Sequence, residues 1–163
     1  MSFTSATPLG PAKTETDIWN TPQYILDKLG GPDYFDLDPC QSEIIITNTA
    51  KNYYTEKENG LQQKWFGNVW CNPPYSTAKF WLEKMAEHQN GIMLIFVRSD
   101  TRAWQNYVKT ATGINLINKR IKFLDVNGNC KTNGNAPSSL IAWGEENYQK
   151  IKNIEGIYLK IDK

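Results

Sequence analysis

Asn72-Pro73-Pro74-Tyr75 is the segment of this chain with the clearest chemical content. An asparagine side-chain oxygen beside a backbone carbonyl forms a pair of hydrogen-bond acceptors. Prolines hold such a carbonyl rigidly and bring no competing N–H donor. The pair suits an exocyclic amine whose lone pair is delocalised into an aromatic ring and is therefore weakly nucleophilic. Two acceptors aimed at its two hydrogens draw the nitrogen toward tetrahedral geometry and raise its electron density. A neighbouring aromatic side chain can stack on a base that has been taken out of its helix. The chemistry expected is movement of a methyl group onto an amino nitrogen, with proximity and alignment supplying much of the rate. A rigid loop built from two prolines is the competing use of the same residues. No metal is needed, and Cys40, Cys71, Cys130 and the lone His88 lack the spacing of a usual zinc site.

The elements that must position this loop can be traced outward from it. Val69-Trp70-Cys71 is a short apolar run, expected as a buried strand that ends where the loop begins. In open α/β folds ligands bind at the carboxyl ends of strands. A helix should follow, with Ser76 or Thr77 as cap and Phe80, Trp81, Leu82, Met85 and Ala86 as its apolar positions. Ile92 to Val97 is a continuous apolar run, expected as a central parallel strand covered on both faces. Asp100 is placed to cap a helix carrying Trp104, Tyr107 and Val108.

Upstream, Thr21-Pro22 opens a helix, with Thr21 as cap, Ile25, Leu26 and Leu29 on one face and Gly30-Gly31 at its end. Tyr34 to Pro39 reads as a strand running into a proline turn, and Ile44 to Ile46 and Tyr53-Tyr54 favour strand. The last third changes character. Ile121 to Leu124, a turn at Asn127-Gly128, Ser138 to Trp143 and Ile157/Leu159/Ile161 suggest short strands, some antiparallel. Alternating strands and helices followed by a β-rich end imply a three-layer, Rossmann-like α/β sheet, mostly parallel with an antiparallel edge in the C-terminal third.

The 163 residues suffice for one domain, taken as 17–163, and a hydrophobic content of 40% with 21% charged residues describes a globular protein. Residues 1–16 are rich in Ser, Thr and Pro and lack the pattern of a signal peptide; they read as a disordered lead-in. No apolar stretch approaches a membrane span, so a cytoplasmic location is expected. The formal net charge of +1 neither demands nor excludes nucleic acid, but Arg98 with Arg102, and Lys119, Arg120 and Lys122, are clustered.

The tetrapeptide matches the signature of S-adenosylmethionine-dependent amino-methyltransferases. The wider pattern resembles the phage-type DNA N-6-adenine methyltransferase (Dam) family. It comprises Trp19-Asn20-Thr21-Pro22, Phe35 to Cys40, Tyr53-Tyr54-Thr55, Gly60-Leu61 with Trp65, Val69 to Ser76, Arg98 to Thr101 with Trp104, and Arg120 to Phe123. The resemblance spans about residues 17 to 143. It implies S-adenosylmethionine as methyl donor, S-adenosylhomocysteine as product, no metal, and double-stranded DNA with a flipped adenine as partner, in the cytoplasm of a bacterial host.

By the same resemblance, Asn72 Oδ1 and the Pro73 carbonyl accept from the target amine, Pro74 stiffens the loop and Tyr75 stacks on the base. Asp36, Asp38 and Pro39 fall where such enzymes meet the methionine part of the cofactor. Trp19, Thr21 and Pro22 match the segment closing over that end, and Asn59 with Leu61 borders the cofactor's adenine. Arg98, Lys119 and Arg120 are candidate phosphate contacts, and the Asn127 to Pro137 loop with Lys131 is the candidate base reader. One departure stands out: the loop after the first strand, Asp38 to Ser42, contains no glycine, although methyltransferases of this fold often have a Gly-rich loop there. Cytosine N4, an RNA adenine or a protein glutamine remain as alternative substrates, and a catalytically inactive nucleic-acid-binding module as an alternative role.

Overall fold

The structure is a computed structural model that describes residues 17, 19–131 and 136–163. The proposed lead-in of residues 1–16 and part of the proposed reading loop, 132–135, lie outside them. Seven strands form one sheet in the order β2-β1-β3-β4-β6-β5-β7. These are β1 (Leu37–Asp38), β2 (Asn52–Tyr53), β3 (Val69–Cys71), β4 (Gly91–Phe96), β5 (Gly113–Ile117), β6 (Ser138–Trp143) and β7 (Gly156–Lys160). Strands β2, β1, β3 and β4 pair in parallel, whereas the pairings β4–β6, β6–β5 and β5–β7 are antiparallel. The antiparallel part is thus half of the sheet rather than an edge. Strand β6 lies inside the sheet, between β4 and β5.

Alternation along β3 and β4 divides the core between the two faces. Trp70, Ile92 and Leu94 pack with Phe35, with Ile25, Leu26 and Leu29 of the segment around α1 (Gln23–Lys28), and with Tyr148 and Ile151 of α4 (Glu145–Ile151). Val69, Cys71 and Met93 pack on the other side. Their partners are Trp81, Leu82 and Met85 of α2 (Ala78–His88) and Trp104 of α3 (Arg102–Tyr107). Helices therefore cover both faces, giving three layers. The register Val69↔Gly91, Trp70↔Ile92, Cys71↔Met93 sets β3 in the fully buried middle of the sheet. The Asn-Pro-Pro-Tyr loop leaves from its carboxyl end.

Several local expectations are corrected. Thr21 makes no cap bond to α1; Pro22 occupies the N-cap position, and the Thr21 hydroxyl is used elsewhere. The cap of α3 is Thr101 rather than Asp100, its hydroxyl accepting from the Trp104 N–H at 3.3 Å. Residues 44–46 are irregular, with Ile44 and Ile45 exposed. Only Leu124 of the 121–124 run joins a ladder, through isolated bridges to Asn20 and Cys130. Strand β5 and helix α4 have no counterpart in the sequence reading.

Candidate active site

Asn72 is held by its amide nitrogen. Nδ2 donates to the Trp19 carbonyl at 2.6 Å and to Thr21 Oγ1 at 2.9 Å. Because a backbone carbonyl only accepts, these bonds fix which end of the amide faces the 19–21 segment. Asn72 Oδ1 is turned the other way, and it and the Pro73 carbonyl have no hydrogen-bond partner among the described residues. The Asn72 carbonyl, by contrast, accepts from the Cys40 thiol at 3.3 Å, and the Pro74 carbonyl accepts from the Thr77 N–H at 3.2 Å. Two acceptors of this loop are therefore left open among the described residues. The chain N-terminal to α1 ties down the far side of the loop: the Asp17 carboxylate accepts from the Ser76 hydroxyl at 2.9 Å.

Two cavities meet at this loop, both bordered by Trp19, Asn72 and Pro73. The first, about 230 Å³, lies over the carboxyl ends of β1 and β3. Asp17, Asp38, Glu43 and Glu56 line it, with polar Gln41, Ser42, Thr47 and Thr49, and no lysine or arginine among the described residues does. The second, about 600 Å³, is walled by Trp19, Tyr75, Phe96 and Phe123 and carries Lys79, Arg98 and Arg102 against, among the described residues, one acid, Asp100. Its aromatic rings pack edge to face: Trp19–Phe96 at 6.1 Å, Trp19–Phe123 at 5.7 Å and Tyr75–Phe96 at 5.0 Å between centroids. Tyr75 remains 42% exposed, so its ring is available to a planar ligand. One cavity thus favours a cationic, polar molecule and the other a flat aromatic one attached to anions.

The turn after β1 explains the missing glycine. Asp38 Oδ1 accepts from the Cys40 N–H at 3.0 Å, an Asx turn around Pro39 that tightens the chain without left-handed backbone. Asp38 is nearly fully buried, with Oδ2 accepting from Thr49 Oγ1. Of the expected cofactor contacts, Trp19, Thr21 and Asp38 line the first cavity, while Pro22 and Pro39 are buried and do not line it.

Asp36 is not brought to either cavity. It stands just before β1, where its carboxylate accepts from the Asn68 N–H at 2.7 Å and pairs with Lys51 at 3.3 Å. The Asn68 backbone bond, more than Lys51, holds its carboxyl below the usual carboxylate range. A lowered folded-state value stabilises the fold above the ordinary Asp range, and that contribution is lost as pH falls through the lowered value. Asp36→Asn is accordingly expected to reduce stability at neutral pH, with the deficit shrinking below about pH 4, and to leave cofactor affinity unchanged. Urea denaturation across pH together with cofactor titration checks both.

Asn59 and Leu61 do not line the cavities either. The turn they belong to reaches the site through Gly60, which packs on the Pro39 carbonyl, and through Trp65, whose indole N–H donates to the Gly60 carbonyl at 2.9 Å. Among the candidate DNA contacts, Arg98 donates to the Tyr75 hydroxyl and lies 5.7 Å from its ring centroid. Lys131 sits 4.3 Å from the Trp19 ring centroid. Lys119 and Arg120 are exposed beyond the end of β5 and line neither cavity. Gln41, Thr47, Thr49, Glu56 and Phe96 were missed by sequence reasoning. Only the polar run Thr47-Asn48-Thr49 beside the first strand could have signalled any of them. Among the described residues no group of three or more His, Cys, Asp or Glu side chains is placed to hold a metal ion. No helix of those residues is long and apolar enough to cross a membrane.

These features define an α/β protein with a bipartite pocket, acidic on one side and aromatic and basic on the other, joined at a pair of open acceptors. The chain belongs to the DNA N-6-adenine-methyltransferase (Dam) family, whose pattern it matches over residues 10–160. It is 32% identical over 94 residues to a DNA N-6-adenine-methyltransferase of Escherichia phage T1. That alignment covers 54% of this chain and 39% of the relative, so the chain spans about two fifths of the length of the curated protein it matches. No solved structure matches it significantly.

Proposed function

We propose that this protein transfers a methyl group from S-adenosylmethionine to the N6 amino group of adenine in double-stranded DNA, as a phage-associated enzyme with a Rossmann-like methyltransferase fold. The observation that carries this is the orientation of Asn72, whose Oδ1 is presented beside the open Pro73 carbonyl at the junction of the two cavities. The two oxygens would accept the two hydrogens of an amine placed between them, localising its lone pair on nitrogen.

The first cavity fits the cofactor in charge and polarity. S-adenosylmethionine carries an ammonium and a sulfonium, and the lining acids include Glu43, Glu56 and Asp17. When bound, the cofactor supplies a methyl group on a sulfonium, which leaves as a neutral thioether. Trp19 and Trp70 would border it with apolar surface and keep water from the reacting centre. In the second cavity Tyr75 and Phe96 would hold the extruded base by stacking and edge contacts. Arg98, Lys79 and Arg102, with Lys119 and Arg120 further along the same edge of the sheet, would meet phosphates, so binding should weaken steeply with salt. Lys131, whose ammonium lies over the Trp19 ring, would contact the DNA near the extruded base.

The test is a panel of acceptors incubated with purified protein and methyl-labelled S-adenosylmethionine: duplex DNA, RNA and protein extracts. Label is expected in duplex DNA and absent from the other two. Label confined to RNA or protein would overturn the substrate assignment, and absence of cofactor binding at millimolar concentration would overturn the catalytic one.

A further inference from the structure

The sequence pattern places Thr21 among cofactor contacts, yet its hydroxyl is spent on Asn72. An asparagine amide is nearly symmetric in shape, so packing alone does not decide whether its oxygen or its NH₂ points at a ligand. The decision here falls to the Trp19 carbonyl, which only accepts and meets Nδ2, while Thr21 Oγ1 adds a second bond to the same nitrogen. A flipped amide would set its NH₂ against the NH₂ of the target base, donor against donor, and would place Oδ1 against the Trp19 carbonyl.

Thr21 is itself held from the cofactor side. It is only 2% exposed, and its carbonyl accepts from the Thr47 hydroxyl. The Thr47 carbonyl accepts from Gln41 Nε2 at 3.1 Å, which also donates to Thr49 Oγ1 at 3.1 Å, and Thr49 donates to Asp38. A continuous hydrogen-bonded chain thus runs from the end of β1, along the wall of the first cavity, to the amide at the junction with the second. Such buried networks fix one arrangement when every member is satisfied.

We infer that Thr21 is a positioning residue for methyl transfer: its hydroxyl, backed by Thr47, adds a second bond to Asn72 Nδ2 and so holds the amide in the orientation the Trp19 carbonyl dictates, with Oδ1 facing the target amine. This deepens the proposed methyl transfer and rests on it. Asn72 Oδ1 can serve as acceptor only in this orientation, and Trp19 contributes a backbone carbonyl that side-chain changes leave in place. The hydroxyl of Thr21 is therefore the part of the device a mutation can remove.

The experiment compares Thr21→Val, which removes the hydroxyl at nearly constant volume, with Thr21→Ser, which keeps it. The valine variant is expected to lose about tenfold in kcat, the scale of one hydrogen bond, with KM for DNA and the calorimetric affinity for S-adenosylhomocysteine within about threefold of the parent. The serine variant should recover kcat to within about threefold. Thr21→Ala takes the place of valine if the latter does not fold, and the same kcat loss is expected of it. A folded valine or alanine variant with parental kcat overturns the inference. So does a loss seen only in cofactor affinity, because Thr21 would then be a cofactor contact. A parent protein with no transfer to any acceptor would instead defeat the proposed function on which the inference stands.

Discussion

Asn72→Ala is expected to reduce single-turnover methyl transfer by about a thousandfold, the scale on which removing one preorganised polar group from a reacting centre acts. The substitution deletes Oδ1, one of the two open acceptors, and the bonds from Nδ2 to Trp19 and Thr21. The Pro73 carbonyl stays, since Pro73 and Pro74 are buried and set by the chain running into α2. The surviving acceptor orients one N–H and leaves the other to water, so the amine keeps most of its planarity. Stability should change little, by about 1 kcal/mol for the lost hydrogen bonds of a side chain that is only half-buried. Asn72→Asp should fall between the two. It retains an acceptor for the amine but sets a carboxylate oxygen against the Trp19 carbonyl, which only accepts. Near-parental turnover in the alanine variant, with its melting temperature preserved, would remove Asn72 from the mechanism.

Gly60→Ala is expected to be the most damaging single-methyl addition near the site, although Gly60 touches no ligand cavity. A Cβ there would lie 1.9 Å from the Pro39 carbonyl oxygen and 2.8 Å from its carbon. Both are backbone atoms, so no side-chain rotation relieves the overlap. Pro39 sits between Asp38 and Cys40, whose Asx turn forms the base of the first cavity. The displaced turn would carry with it the Cys40 thiol that donates to the Asn72 carbonyl. A cost of about 3 kcal/mol is expected from overpacking against rigid backbone, which for a chain of this length lowers Tm by about 10 °C. Cofactor should recover less of that loss than it adds to the parent, because the pocket itself is distorted. Thermal unfolding with and without S-adenosylmethionine reads both effects. A Tm within about 2 °C of the parent would show that the turn yields easily.

The parts of the site that were legible in the sequence are those fixed by short-range chemistry. Val69-Trp70-Cys71 running into Asn72-Pro73-Pro74-Tyr75 has to be a buried strand ending in a stiff loop, and it is. The apolar run from Ile92 is the central β4, and Ser138–Trp143 is β6. What the pattern could not convey is pairing. Strand β6 enters the sheet antiparallel between β4 and β5, a matter of how the chain returns rather than of residue periodicity. Strand β5 and α4 were missed because they carry mixed faces, with Asn115 and Asn147 buried among their apolar neighbours.

The helix-cap reading of Thr21 failed for a comparable reason. Its hydroxyl finds a partner 51 residues away in Asn72, which no local rule anticipates. Asp36 and Asp38 are two residues apart and chemically alike. Yet Asp36 lies just before the two-residue β1 and Asp38 ends it, one bracing the 67–68 turn and the other walling the pocket. The residue types pointed to the right elements, and tertiary contacts chose which side chains face the cavities.

The most direct measurement is nucleoside mass spectrometry of DNA from cells expressing the chain and from cells expressing Asn72→Ala. N6-methyladenine above the background of a host lacking adenine methylation is expected with the parent chain and not with the variant. N4-methylcytosine in its place, no modified base at all, or equal N6-methyladenine with both chains would contradict the account.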